Sequence, residues 1–289
     1  MNKASKALWT RKLNYRLKRL HVWKKRQNAA RISKWTKLVA EAKSKLSQKA
    51  AVKKPVPVKP VPAPVKKPDA KKPDVVLNHP TNKDVHKKGI DVYEGDGDID
   101  WAKVKSDGYE YVFCKTSEGG DWKDPSWTKE RVQAIRKAGL KLGVYHFLRP
   151  KPGRQGRDEM SFFIKQARSA GWGEPGDLRA VIDFEATELS SDKTVGYLMS
   201  AVEEVKTLTG KTPIMYTGGP FWDEKTNSYP KNLGCPLWLA AYVNNPDKYL
   251  PQAWSTSGWA IWQHTDRGPV KGISVSNVDQ NIAKQLPTL

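Results

Sequence analysis

Two carboxylates stand two residues apart at the end of an apolar run, in Ala180-Val-Ile-Asp-Phe-Glu185. Alternate residues of a strand share one face, so Asp183 and Glu185 are expected to lie side by side. Repulsion between them on an apolar wall keeps one of the two protonated near neutral pH. Such a pair suits glycosidic bond cleavage, in which one carboxyl protonates the leaving oxygen and another supports an oxocarbenium-like centre. Carboxylates at strand ends also bind metals or cap helices, so the pair alone leaves those alternatives open.

Further candidate residues fall at the ends of other predicted strands. Asp91 follows the apolar step Gly89-Ile90, Glu118 comes just after a strand, and Asp279 lies near the end of the sequence. Flat rings stack on pyranose faces, which makes aromatic residues near strand ends candidates for substrate binding. These candidates are Tyr145, Tyr216, Trp238, Tyr242 and Trp262. Core packing is the better explanation for each ring taken alone, and only the set as a whole indicates carbohydrate.

The elements that must position these residues alternate between short apolar runs and helical stretches. Strands are predicted over 89–92, 109–115, 141–147, 180–184, 213–216, 237–242 and 259–263, and helices over 127–138, 158–170 and 192–208. This alternation predicts a parallel α/β sheet. The helices shorten toward the C-terminus, which favours an irregular, TIM-like eight-stranded barrel with its active site at the carboxyl ends of the strands.

Charge divides the chain into two parts. Residues 1–88 hold 26 Lys and Arg against 4 Asp and Glu, a net charge of +22, whereas residues 89–289 hold 25 against 26, a net charge of −1. Seven prolines between Pro55 and Pro73 favour an extended spacer. The predicted organisation is a basic helical arm over residues 1–50, a Pro/Lys-rich linker over 51–88 and a catalytic barrel over 89–289.

The arm has the pattern of a basic amphipathic helix. Leu13, Leu17 and Leu20 recur at helical spacing, and Lys and Arg fill most of the positions around them. Such a helix suits an anionic surface, whether cell-wall polymer, lipid headgroups or nucleic acid, and a solvated tail is the alternative. Trp9 and Trp23 count against a purely solubilising tail, because indoles favour interfaces.

Several classes of protein are not expected. No run approaches the roughly 20 apolar residues of a membrane span, and the first thirty residues are too basic for a signal peptide. Cys114 is expected to be a packed thiol in a buried strand, and whether it pairs with Cys235 is left open. No metal site and no cofactor are predicted, since the histidines lack ligand spacing, and His146 is expected to pack beside Tyr145 in or near the groove.

A set of short motifs, in order, resembles the glycoside hydrolase family 25 lysozymes, which are N-acetylmuramidases common among phage endolysins and secreted bacterial lysins. The resemblance covers Gly89 to about Ile282. The motifs are Gly89-Ile-Asp-Val with Ile99-Asp-Trp101, Lys115-Thr-Ser-Glu-Gly119, Ala138-Gly-Leu140 with Gly143-Val-Tyr-His-Phe147, Ile182-Asp-Phe-Glu185, Pro213-Ile-Met-Tyr216, Trp238-Leu-Ala-Ala-Tyr242, Trp262-Gln263, and Gly272-Ile273 with Val278-Asp-Gln-Asn281.

The resemblance implies the family's irregular (β/α)5β3 barrel and hydrolysis of the β-1,4 bond between N-acetylmuramic acid and N-acetylglucosamine. It assigns general acid/base catalysis to Glu185. Asp183 would stabilise positive charge or orient the substrate's acetamido group, and Asp91 and Asp279 would complete the acidic floor. The family's expected outcome is retention of configuration, which the sequence spacing alone does not distinguish from inversion.

The loop after the first strand departs from the family pattern. Tyr93 and Asp96 replace the usual Ser and Gln, and Glu94 and Asp98 add two acids, so this loop is expected to border the groove.

The leading hypothesis is a peptidoglycan muramidase held on anionic wall polymer or a membrane surface through residues 1–50. Without an export signal, it would be phage-encoded and move from the host cytoplasm to the cell wall after release. The alternative is a non-catalytic wall-binding or virion-associated protein that uses the barrel as a lectin. A third hypothesis makes the arm a nucleic-acid binder, although no specific nucleic acid is expected.

Overall fold

The computed structural model describes residues 86–289, together with Ala40 and Ser44, which are both helical. The chain divides into two units, Met1–Val76 and Leu77–Leu289. Apart from Ala40 and Ser44, the predicted arm lies outside the described residues, as does nearly all of the predicted linker, and their boundaries stay predictions. The account below concerns residues 86–289.

Nine strands form the sheet of this part of the chain. They are β1 (Lys87–Val92), β2 (Tyr111–Glu118), β3 (Trp122–Lys123), β4 (Lys141–Phe147), β5 (Val181–Asp183), β6 (Ile214–Thr217), β7 (Leu237–Ala240), β8 (Ile261–Thr265) and β9 (Asp279–Ala283). Strands β1, β2 and β4 to β8 run parallel in that order. Antiparallel β9 closes the barrel between β8 and β1, and β3 only extends β2 as a hairpin. The predicted irregular eight-stranded barrel is confirmed.

Five helices accompany these strands within residues 86–289. They are α1 (Trp101–Ser106), α2 (Lys129–Lys137), α3 (Gly156–Ser169), α4 (Ser191–Thr209) and α5 (Gly219–Thr226), with 3₁₀ turns at Glu94–Asp96, Pro246–Tyr249 and Gln252–Trp254. The three predicted helices are confirmed as α2, α3 and α4, whereas α1, α5, β3 and β9 were not predicted. In the part of the chain that is described, none of the helices combines the length and the apolar character needed to cross a bilayer.

Local sequence explains where α2 begins and which face it buries. The Thr128 hydroxyl accepts a hydrogen bond from the backbone N–H of Arg131, which satisfies one of the unpaired donors of the first turn. Val132 and Ile135, three residues apart, turn inward and are fully buried. Arg136 and Lys137 lie in the last turn, where positive charge complements the helix dipole. The helix therefore presents one apolar stripe to the barrel.

Side chains pack on both sides of the barrel wall. The interior contains a cluster of Tyr111, Phe113, Leu178, Val181, Ile214, Trp238, Ala260, Ile261 and Ala283. Two glycines make room for its rings: a Cβ on Gly89 would lie 2.1 Å from the Tyr111 ring, and one on Gly143 would lie 2.2 Å from the Phe113 ring. The glycines of β1 and β4 thus allow two aromatic rings to lie across the barrel.

The outer side of the barrel wall carries the larger cluster, in which alternate strand residues meet the helices. Cys114 lies there, buried as expected, and burial raises the pKa of its thiol to about 12. Cys114 and Cys235 are both free thiols. A thiol protonated over the physiological range is a packing residue rather than a nucleophile.

Candidate active site

The carboxyl edge of the barrel gathers acids from three strands. Asp91 lies near the end of β1, Asp183 is the last residue of β5, and Asp279 is the first residue of antiparallel β9. Asp91 and Asp279 are direct cross-strand partners, so their side chains share a face. Glu185 follows β5 by two residues and is exposed. The structure therefore places all four predicted acids at one edge of the barrel.

Asp183 is the acid whose pKa is raised. Its carboxyl group is buried, and within the described residues its Oδ1 has no hydrogen-bond partner. Burial, and next the negative charge of Glu185, raise the pKa of Asp183 well above its usual range, while the Lys115 ammonium opposes the shift. Asp183 therefore holds a proton more tightly than an ordinary carboxyl group does. The repulsion between Asp183 and Glu185 that the sequence predicts therefore raises the pKa of Asp183, the buried member of the pair.

A β-bulge in β2 brings Lys115 and Glu118 together. Residues three apart on a regular strand point to opposite faces, but the register against β4 shifts between Lys115 and Ser117. Lys115 Nζ lies 2.7 Å from Glu118, and Arg149 donates to the same carboxylate at 2.7 and 3.1 Å. Only 4% of the Lys115 side chain is exposed. The bulge thus holds a buried positive charge close enough to act on Asp183.

Two amide side chains hold the carboxylate of Asp91. Nε2 of Gln263 donates to both carboxylate oxygens, at 3.0 and 3.2 Å, and Nδ2 of Asn281 donates to Oδ1 at 2.7 Å. Both amides are buried. Asp91 is therefore fixed by neutral donors from β8 and β9, the two strands that close the barrel.

Aromatic residues hold the other ends of these amides. Trp238 donates from its indole N–H to Oδ1 of Asn281 at 2.8 Å. The hydroxyls of Tyr216 and Tyr242 each donate to Oε1 of Gln263 at 2.8 Å. Trp238 is buried beneath the ring of Tyr216, with ring centroids 5.1 Å apart, whereas Tyr242 is 36% exposed. Among these rings, Tyr242 is thus the one most open to a ligand.

Tyr145 faces the same acids from β4. Burial, and next the charge of Asp91, raise the pKa of Tyr145 well above its usual value, so its hydroxyl keeps its proton. Trp262, in contrast, lies on the face of β8 opposite to Gln263. It is buried in the outer cluster and donates to the carbonyl of Ala241 at 2.6 Å. The structure therefore brings Tyr145 to the acidic edge and does not bring Trp262 there.

His146 does not share the groove with Tyr145, because adjacent strand residues point to opposite faces. It is fully buried between β2 and α3, where its ring nitrogens contact Ser117 Oγ at 2.8 Å and Glu159 Oε1 at 2.9 Å. Burial lowers the pKa of His146, so the contact with Glu159 is a hydrogen bond of a neutral ring. The same Glu159 oxygen accepts from the backbone N–H of Arg149 at 2.8 Å, which links this network to the loop after β4.

The loop after β1 turns two of its extra acids inward. Glu94 and Asp96 are buried, whereas Asp98 is exposed. Asp96 accepts from the backbone N–H of Tyr93 at 2.8 Å, and the N–H of Glu94 donates to Asp124 at 3.2 Å. The Asp96 carboxylate therefore stabilises the loop itself, and the expectation that this loop borders the groove stays a prediction.

Residues 86–289, with Ala40 and Ser44, contain no group of three or more His, Cys, Asp or Glu side chains arranged to hold a metal ion.

The sequence did not identify Lys115 as a site residue, nor the roles of Gln263 and Asn281. Gln263 and Asn281 lie in the motifs Trp262-Gln263 and Val278-Asp-Gln-Asn281. These motifs were used to recognise the family, and no role was assigned to either amide.

A closed barrel with paired carboxylates at its carboxyl edge has the arrangement of a carboxylate-dependent glycosidase. Residues 90–273 match the glycosyl hydrolases family 25, and the chain belongs to this family. The resemblance inferred from the motifs is thereby confirmed.

Known relatives agree with this family. The chain is 29% identical over 204 residues to Lysozyme M1 of Streptomyces globisporus, covering 67% of this chain and 66% of that protein. It is 31% identical over 190 residues to the autolytic lysozyme of Clostridium acetobutylicum, covering 65% of this chain and 53% of that protein. The chain thus spans between half and two thirds of the length of these two curated relatives.

Solved structures resemble the barrel. A bacterial lysozyme from Streptomyces coelicolor superposes with a TM-score of 0.61 at 28% identity, over 68% of this chain and 90% of that one. A family GH25 lysozyme from Aspergillus fumigatus gives a TM-score of 0.59 at 29% identity, over 68% and 93% of the two chains. The similarity extends over nearly the whole of these lysozymes.

Proposed function

We propose that the protein is a peptidoglycan hydrolase that cleaves the β-1,4 bond between N-acetylmuramic acid and N-acetylglucosamine. The observation that carries the proposal is the Asp183-x-Glu185 pair, one member buried and one exposed, beside Asp91 at the open edge of the barrel. Family membership supports the same reaction class, since the relatives named above are lysozymes.

Glu185 is proposed as the general acid/base. It is exposed beyond the end of β5, where a glycosidic oxygen can reach it. Asp279 and Asp91 would stabilise the positive charge that develops on the sugar ring. The half-buried rings of Tyr145 and Tyr216, and the exposed face of Tyr242, would bind pyranose rings.

Asp183 is proposed to orient the substrate's acetamido group. An amide presents one donor and one acceptor, and a neutral carboxyl group offers the complementary acceptor and donor. The raised pKa and the buried, unpartnered Oδ1 of Asp183 fit this role. A held acetamido group would also be placed to act as the internal nucleophile of a retaining reaction.

The test is digestion of purified peptidoglycan by the full-length chain, followed by reduction and mass spectrometry of the fragments. The wild type should release fragments with muramic acid at the reducing end. Glu185→Gln should lower turnover by about 10² to 10⁴-fold while binding to sacculi persists, because the variant keeps the shape of the groove and loses only the transferable proton.

Glu188→Gln is the matched control, since Glu188 is an exposed acid only three residues farther along the same loop. It should leave the turnover unchanged. Intact glycan from the wild type, with binding to sacculi retained, would contradict the hydrolase and favour a wall-binding lectin built on the same barrel.

We also propose that residues 1–50 hold the enzyme on an anionic wall polymer. The support is the net charge of +22 over residues 1–88, beside a nearly neutral catalytic part. A membrane surface is the competing partner for this arm.

A further inference from the structure

The hydrogen bonds to the Asp91 carboxylate come from two amide side chains. Asp91 accepts one hydrogen bond from Asn281 and two from Gln263, shared between its two oxygens. An ionised carboxylate accepts all of these bonds at full strength, whereas protonation of either oxygen would weaken the bonds to it. Because both partners present N–H groups, the arrangement matches an ionised carboxylate and opposes a protonated one.

The direction of the Asn281 amide is set by Trp238. An indole N–H can only donate, so the atom of Asn281 that it contacts at 2.8 Å must be the carbonyl oxygen. The amino group of Asn281 consequently faces Asp91. Trp238 is buried and wedged between the rings of Phe113 and Tyr216, at centroid distances of 4.6 and 5.1 Å, which fixes its orientation.

The Gln263 amide is oriented from both ends. Turning it over would bring its carbonyl oxygen within about 3 Å of the Asp91 carboxylate, an arrangement of two acceptors without a proton between them. In the observed orientation its carbonyl oxygen instead accepts from the hydroxyls of Tyr216 and Tyr242. Each polar atom of the Gln263 side chain thus has a matching partner.

We propose that Gln263 and Asn281 are positioning residues that hold Asp91 as a fixed, ionised acceptor and so confine the shared proton of the acidic edge to Asp183. This inference rests on the proposed hydrolase function. Neutral amides can hold the Asp91 carboxylate without cancelling its negative charge. A Lys or Arg partner would neutralise the charge that stabilises a cationic transition state. The chain of contacts begins at the indole of Trp238.

Other groups also act on the ionisation of Asp91. They are Asp279, its cross-strand partner on β9, Asp183 on β5, and the phenols of Tyr111, Tyr145 and Tyr216 on β2, β4 and β6. Burial raises the pKa of each of these phenols well above its usual value, so they remain neutral. A negative charge on Asp279 would favour protonation of Asp91, and the amide donors oppose that effect.

The test replaces one amide by the carboxyl group of the same shape in the full-length protein. Asn281→Asp keeps the acceptor for the Trp238 indole but sets a carboxyl oxygen against Asp91, so the two must share a proton. We expect kcat on peptidoglycan near pH 6 to fall on the order of 10²-fold, with KM within about threefold of wild type. The acidic limb of the kcat profile should move to higher pH by about one unit or more.

Gln280→Glu is the matched control. It adds the same charge to β9 at the next residue, whose side chain lies on the other face and accepts from the Tyr109 hydroxyl at 3.1 Å. Its kcat profile should match that of the wild type. Trp238→Phe, which removes only the indole donor, should shift the profile in the same direction as Asn281→Asp and by less.

A second measurement does not depend on activity. The ¹³C NMR signal of the Asp91 carboxyl, assigned by its loss in Asp91→Asn, should titrate at higher pH in Asn281→Asp than in the wild type or in Gln280→Glu. Equal titration in the three proteins would overturn the positioning role, as would a wild-type kcat profile for Asn281→Asp. A wild type that releases no muramic acid ends would contradict only the proposed function, and the NMR comparison would then decide the inference.

Discussion

Three carboxylates at one edge of the barrel differ in environment rather than in chemistry. Asp183 is buried, and one of its oxygens has no hydrogen-bond partner among residues 86–289; Asp91 is bonded to two amides, and Glu185 is exposed. Solvation and hydrogen bonding therefore separate acids of nearly equal intrinsic strength, and burial raises the pKa of Asp183 in particular.

Asp183 is expected to lower the free energy of unfolding of the protein at neutral pH. Burial raises its pKa in the folded protein above the unfolded value, so the native state binds the proton more tightly and stability falls as pH rises above the unfolded pKa of about 4. Asp183→Asn removes this effect. Its free energy of unfolding should exceed that of the wild type by an amount that grows by up to about 1.4 kcal/mol per pH unit.

Urea unfolding of both proteins at pH 4, 5, 6 and 7 measures this difference. Asp192→Asn, at an exposed residue in the first turn of α4, is the control and should show no growing difference. A constant gap between wild type and Asp183→Asn over these pH values would contradict the raised pKa.

The sequence located the acids but not every aromatic residue. Asp91 and Asp183 follow apolar strand residues, and Glu118 comes shortly after the predicted strand over 109–115, so the ends of the predicted strands gave their positions. Trp262 follows the equally apolar Ile261, and with apolar residues on both faces the sequence does not tell which one points inward. In the structure Ile261 faces the barrel interior and Trp262 the outer cluster.

Among the elements, β9 was missed because its inward residues belong to the site. Asp279 and Asn281 face the barrel edge, so polar side chains stand where the pattern of a strand requires apolar ones. Helix α1, at six residues, is too short to show a helical period. Strands β2 and β4, with continuous apolar runs, were predicted without difficulty.

Strand β4 depends on the absence of a side chain at Gly143. A methyl group there would lie 2.2 Å from the Phe113 ring, which is itself packed against Trp238. We expect Gly143→Ala to lower the free energy of unfolding by about 1–3 kcal/mol or more, since an overpacked core must shift its rings. Chemical denaturation followed by Trp fluorescence measures the change.

Gly196→Ala, in the middle of α4, is the control for backbone effects. Apart from the backbone of the helix itself, no atom of the described residues lies within 4 Å of its added methyl group, so this change should raise stability by about 0.5–1 kcal/mol. Equal effects of the two substitutions would show that the close packing at Gly143 does not limit stability.

At the scale of the whole molecule, nearly all of the net positive charge belongs to residues 1–88, which carry +22, whereas residues 89–289 carry −1. If this charge holds the enzyme on wall polymer, binding of the full-length chain to sacculi should weaken at least tenfold between about 0.05 and 0.5 M NaCl, as screening shortens the reach of each charge. Co-sedimentation with sacculi over this range measures it.

Sacculi stripped of anionic polymer are the control, and they should bind less at low salt and show a weaker dependence on salt. Vesicles of anionic lipid test the membrane alternative. If stripped and intact sacculi bind the protein equally and the vesicles bind it tightly, the wall polymer is not the partner of the arm. A lipid surface would then be the partner.

The hydrogen bond from Asn281 to Asp91 joins residues that are 190 positions apart in the sequence. A ribosome adding about 5–20 residues per second makes β1 on the order of 10–40 s before β9. Throughout that interval Asp91 lacks its antiparallel neighbour β9 and the amide donor of Asn281. An incomplete chain therefore lacks an assembled acidic edge. The enzyme can become active in the cell that synthesises it only after β9 has been translated.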